Sequence, residues 1–105
     1  MLRRLGALIP LGRYQVEGES MAPTMSPGER VLVNKVAYRR ADPRPGDLVV
    51  VRDPREPDRL LLKRIDGLAD GGWLVLGDNA GASTDSRAFG PVSKELIIGK
   101  VWFRY

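Results

Sequence analysis

The 105-residue chain contains no cysteine and no histidine. The first absence excludes a disulfide framework, thiol catalysis and thiolate-bound metals. The second removes the commonest metal ligand and the commonest general base, and with it any Ser-His-Asp triad. Long apolar runs are also missing. The N-terminal stretch Leu5 to Leu11 is seven residues long and includes Gly6 and Pro10, whereas a bilayer span needs about 20. No small-x-small cleavage pattern follows it, so it does not read as a secretory signal. No segment carries a helical apolar stripe over three turns.

What remains is a single domain's worth of chain with 43% apolar residues, enough for a modest core. The net charge is +4, from thirteen arginines and four lysines against thirteen acids. Mixed signs along the chain read as a solvated arginine-rich face, which permits contact with an anionic partner. Arg30, Lys35, Arg39, Arg40, Arg44 and Arg52 could form a phosphate-facing stripe. Only Tyr38 is available for base stacking there. A non-catalytic module binding RNA or an anionic surface is therefore the alternative reading, and no nucleic-acid partner is expected. Arg3, Arg4 and Arg13 flank Leu5, Leu8 and Ile9. Residues 1–13 are expected to be a tail or a first strand, able to touch a membrane surface peripherally.

Short valine- and leucine-rich runs recur at 31–33, 48–51, 60–62, 73–76 and 96–103. They are separated by Pro27-Gly28, Pro45-Gly46, Gly71-Gly72 and a loop from Asp53 to Arg59 with two prolines, a pattern of strands and turns. Each Pro-Gly pair, followed by an acid and a valine-rich run, predicts a type II turn into a strand. Helical candidates are limited to Asn34–Arg40 and a turn near Ser93–Leu96. The expectation is a mostly β domain, a coiled antiparallel sheet or barrel with at most one or two short helical turns.

Residues 18–25 read GESMAPTM. Ser20 sits on a turn like a nucleophile, and without histidine its proton needs another acceptor. Lysine serves this role in one variant of the triad logic, but it normally titrates near 10.4. Burial among apolar groups must lower that toward ~7–8. Lys35 ends a strand, Lys94 lies in a polar turn, and Lys100 shares a face with Trp102 and Arg104. Lys63 differs: in LLLKRI, strand alternation places it between Leu61 and Ile65 on one face. A lysine on a strand can also snorkel to water, so the pattern alone leaves both outcomes open. A third stretch, GDNAGASTDSRAFG at 77–90, is rich in small hydrogen-bonding residues and suits a dense polar network or a long surface turn.

In this order, SMAPTM, LLLKRI and GDNAGASTDSRAFGPV resemble the type I signal peptidase family of Ser/Lys endopeptidases over about Val16 to Val101. The resemblance implies a single catalytic domain over 14–105 with the family's coiled β core. It implies Ser20 as nucleophile and Lys63 as general base, with Met21 and Pro23 shaping the turn. Ser83 would orient the lysine amine, Asp85 and Arg87 would form a supporting ion pair, and Gly77 and Asp78 would begin the bordering loop. The Ser20 N–H would donate to the oxyanion. Many bacterial members add a serine hydroxyl two residues before the nucleophile, where this chain has Gly18. No metal or cofactor is implied. The partner would be a protein precursor with small residues near the scissile bond, whose N-terminal leader or propeptide is removed. Short relatives with GDN-x-x-x-STDSR resemble the nickel-type superoxide dismutase maturation protease, which makes that precursor the expected substrate. General processing of exported proteins is the alternative. The expected location is cytoplasmic. The self-cleaving domain of LexA-type repressors shares a Ser-Met and a Lys-Arg strand but lacks the GDN-to-STDSR loop.

Overall fold

The computed structural model describes residues 1–8 and 10–105; Ile9, one of the residues of the expected membrane-contact tail, and the side chains of Ala7 and Leu8 lie outside the described residues. Seven strands form one antiparallel sheet: β1 (Leu2–Leu8), β2 (Leu11–Val16), β3 (Arg30–Asn34), β4 (Leu48–Asp53), β5 (Glu56–Ala69), β6 (Gly72–Leu76) and β7 (Ile97–Arg104). Their spatial order is β1-β2-β3-β7-β4-β5-β6. The sheet is coiled rather than closed: its two edges, β1 and β6, do not pair with each other. Among the described residues the helical part is three short pieces, 3₁₀ turns at Ala80–Ala82 and Lys94–Leu96 and one α turn, α1, at Ser86–Phe89. Among the described residues no helix is long and apolar enough to cross a membrane.

Two apolar clusters explain the valine and leucine runs. Leu2, Tyr14, Val16, Met21, Met25, Val31, Val33, Val50 and Leu62 form one; Val49, Val51, Leu61, Ile65, Val75, Val92 and Ile97 form the other. Alternate residues of β4 and β5 therefore enter different clusters, which is why these strands are continuously apolar rather than alternating. The coil of the sheet brings β1 against β5, and Leu2 shares a cluster with Leu62. β7, last in sequence, pairs with both β3 and β4 and joins the two halves.

Both Pro-Gly turns form as the sequence predicts. Gly28 and Gly46 have φ of 91° and 93°, and Glu29 and Asp47 donate back to Ser26 and Arg44. That conformation is open to glycine at no steric cost. The helix expected over Asn34–Arg40 is absent. Asn34 still pairs in the sheet with Leu11 and Lys100, and its side-chain Oδ1 accepts from Val36 N at 3.0 Å. Such local side-chain bonding competes with helix formation, and only turns follow. The long loop expected over Asp53–Arg59 is also shorter. β5 starts at Glu56, and Pro57, Asp58 and Arg59 lie in a register irregularity opposite no residue of β4, a place where a strand tolerates proline.

Candidate active site

Ser20 lies in the β2–β3 connection between anchored neighbours. Met21 and Met25, 1% and 3% exposed, insert into the first cluster. Ala22 N donates to Glu19 O and Met25 N to Met21 O, closing the turn around the serine. Gly18 just before it has φ of 83°, a left-handed conformation that a serine would enter only with strain.

Lys63 is 2% exposed, although it carries an amine. Its strand neighbours Leu61 and Ile65 are buried with it, and Val49 is its partner on β4. Burial pushes its amine below the ordinary lysine value; Asp85 opposes this, and Arg59 and Arg87 reinforce it. Arginine cannot lose its proton in this range, so both neighbours act as fixed positive charges. Two of the other lysines behave as their sequence contexts suggest: Lys94 pairs with Asp42, and Lys100, about half exposed, with Asp47.

The loop after β6 builds a relay onto that amine. Lys63 Nζ donates to Ser83 Oγ at 2.9 Å, and Ser83 Oγ donates to Asp85 Oδ2 at 2.8 Å. The Ser83 proton is thus committed to Asp85, and toward Lys63 the hydroxyl can only accept. A neutral amine keeps its lone pair free of Ser83. Asp85 is 1% exposed and caps α1, accepting from Arg87 N; its other donors are Gly77 N at 2.8 Å and the Arg87 guanidinium. Burial pushes the Asp85 carboxyl up, but the Arg87 guanidinium, the Gly77 N–H and the Ser83 hydroxyl outweigh it and hold it well below the usual carboxylate range.

Gly77 has a steric reason. A β-carbon there would lie 2.1 Å from Ser83 Oγ and 2.7 Å from Ser20 O. Only a bare backbone lets the serine turn and the relay loop approach this closely. The same segment is stapled to the Ser20 turn. Asn79 N donates to Ser20 O at 2.8 Å, Asn79 Nδ2 to Glu19 O at 3.1 Å, and Asp78 N to Met21 Sδ at 3.4 Å. Arg64 holds Asp78 with two bonds of 2.9 Å and tethers the loop to β5.

Ser20 and Lys63 line one cavity of about 310 Å³. Eight of the residues singled out in the sequence meet in this region: Ser20, Met21, Lys63, Gly77, Asp78, Ser83, Asp85 and Arg87; Pro23 lines a different cavity. Several others escaped the sequence reading. Glu17 and Glu19 line the cavity beside the serine, and Asp53, Arg55 and Arg59 line it beyond Lys63. The shared face of Arg59, Leu61 and Lys63 on β5 was readable from alternation; the position of Asp53 and Arg55 depends on the β4–β5 turn. Asn79, the residue that ties the loop to Ser20, stood next to the noted Gly-Asp pair.

Comparison with known proteins gives the family. A family model described as signal peptidase, peptidase S26, matches residues 5–71 and 66–105. The chain is 39% identical over 112 residues to the mitochondrial ATP-independent inner membrane protease subunit 1a of Arabidopsis thaliana, covering 85% of this chain and 67% of that protein. It is 35% identical over 108 residues to the mitochondrial inner membrane protease subunit 2 of Danio rerio, covering 82% and 59% respectively. Signal peptidase IB of Staphylococcus aureus (strain COL) is 29% identical over 147 residues, covering 88% and 76%. The chain thus spans about 59% to 67% of the length of the first two relatives. With nearly all its residues under the family model, the chain belongs to the signal peptidase family, peptidase S26.

Proposed function

We propose that the chain is a serine endopeptidase in which Ser20 is the nucleophile and Lys63 the general base. One observation carries this reading: a buried amine, lowered in pKa and oriented by Ser83, lines the same cavity as a serine on a fixed turn. Neutral Lys63 Nζ takes the Ser20 proton as Oγ bonds to the substrate carbonyl carbon. The Ser20 N–H donates to the resulting oxyanion. The scissile C–N bond breaks, Lys63 returns its proton to the departing amine, and an acyl-enzyme remains. Water then gives a proton to Lys63 and its oxygen to the acyl carbon, and Ser20 is released with its proton restored. Asp85 and Arg87 support the relay by holding Ser83 in its accepting orientation.

The substrate we propose is a precursor with small residues beside the scissile bond, from which an N-terminal leader is removed. Within that class, the STDSR stretch at 83–87 supports a nickel-type superoxide dismutase precursor by its resemblance to the maturation protease of that substrate. The decisive experiment incubates candidate precursors with the protein and reads the products by mass spectrometry. Cleavage at one bond by the wild type and none by Ser20→Ala or Lys63→Ala is expected. Cleavage that persists in Ser20→Ala overturns the mechanism; cleavage of unrelated exported precursors alone overturns the substrate. Peripheral membrane contact through residues 1–13 is supported by the exposed Arg3, Arg4 and Arg13 on β1 and β2. Flotation with anionic but not neutral vesicles, lost in the triple Arg→Gln variant, is the expected result.

A further inference from the structure

The cavity lined by Ser20 and Lys63 also carries two arginines in different states. Arg55 is pinned: its N, Nε and Nη2 donate to buried Asp53 at 2.9, 3.2 and 3.1 Å, and its guanidinium lies 5.4 Å from the centre of the Phe89 ring. Arg59 is exposed and, among the described residues, forms no ion pair. It follows the unmatched residues Pro57 and Asp58 in the β5 irregularity, the kind of feature that re-aims a side chain next to a site. Arg59, Leu61 and Lys63 share the cavity-facing side of β5.

We propose that Arg59 is a specificity-determining residue that selects substrates with an acidic side chain a few residues from the scissile bond. The inference rests on the peptidase reading above. Four residues of strand separate Arg59 from Lys63, roughly 13 Å of backbone at ~3.3 Å per residue. An extended substrate rises at the same rate, so a side chain about two to four residues from the bond held at Ser20 reaches the guanidinium. Glu17 and Glu19 line the same cavity and disfavour an acid placed beside them. The cationic and anionic lining residues therefore discriminate by position as well as by sign.

The test uses the full chain and peptides with small residues flanking the cleaved bond, with Glu, Gln or Lys placed in turn at each other position. At one position, Glu is expected to exceed Gln in kcat/KM by about five-fold, the size of a partly desolvated charge pair. That ratio is expected to fall to about one in Arg59→Gln, to recover in part in Arg59→Lys, and to shrink with added salt. The ratio, not the rate, is the readout, because Arg59 also acts on the Lys63 amine. The non-cleaving Ser20→Ala variant gives an independent measure: its Kd for the Glu peptide is expected below that for the Gln peptide. Cleavage with no acid preference at any position, or a preference that survives in Arg59→Gln, overturns this inference alone. Failure to cleave any peptide, with equal Kd values in Ser20→Ala, overturns both readings.

Discussion

In the proposed mechanism Lys63 is the general base, and its titration makes a signed prediction. Its folded-state pKa lies below the ordinary lysine value because of burial. The neutral fraction, and with it kcat/KM, rises as pH climbs through the lowered pKa. The expected profile has a rising limb with a midpoint below about 10.4; a flat profile, or a midpoint at the ordinary value, contradicts the assignment. Between the lowered and the ordinary pKa the unfolded chain binds the extra proton, so stability rises with pH in that window. Lys63→Met is expected to flatten this rise in urea titrations, and Lys63→Arg to be inactive while folded. Asp85 acts with the same sign in a more acidic window. Its depressed pKa contributes stability that is full above the ordinary carboxyl pKa and is lost as pH falls through the folded value. Asp85→Asn, which breaks the Arg87 pair and opposes two other donors, is expected to cost about 2 kcal/mol at neutral pH. The gap from wild type is expected to narrow in acid; an unchanged urea midpoint at pH 7 sinks the structural role of the relay.

At the scale of elements, the loop between β6 and β7 and the turn between β2 and β3 behave as one unit. Gly77→Ala forces a β-carbon onto Ser83 Oγ and Ser20 O. A loss of about 1–3 kcal/mol and a sharp fall in cleavage are expected. Gly81→Ala is the control, since its β-carbon meets only Asn79 Oδ1 at 4.0 Å; it is expected to leave stability within about 0.5 kcal/mol. Equal effects of the two substitutions in urea unfolding would remove the close approach as the reason for Gly77. The strands of this unit were legible because apolar runs and Pro-Gly turns are local signals. The Asn34–Arg40 segment misled because the Asn34 side chain bonds Val36 N in place of a helical carbonyl. The α turn at Ser86–Phe89 was not legible: Asp85 caps it, yet the same carboxylate answers to Ser83, Gly77 and Arg87 from elsewhere in the loop.

For the whole molecule, β7 decides cooperativity. It joins β3 to β4, and the two faces of β4–β5 each feed one of the two apolar clusters. A single unfolding transition is expected, with tryptophan fluorescence from Trp73 and Trp102 coinciding with far-UV circular dichroism. Leu62→Ala, in the cluster that contains Met21, is expected to cost about 2–5 kcal/mol and to lower the midpoint of both probes together. Two separate transitions would show that the halves fold independently and that β7 does not couple them.

The amino-acid order by itself determined the mostly β class, the two type II turns and the choice of Lys63 over its three rivals. Each depends on residues within a few positions of one another: fixed φ at proline, free φ at glycine, and a two-residue alternation that sets a lysine among aliphatics. The motif resemblance added expected roles for Ser83, Asp85 and Arg87 but not their bonds. Tertiary structure alone decided that Ser83 accepts from Lys63 while giving its proton to Asp85, that Gly77 must lack a side chain, and that Arg59, among the described residues, forms no ion pair. These depend on segments tens of residues apart, brought together by the coil of the sheet, and pairing at that range has no local signature in the chain.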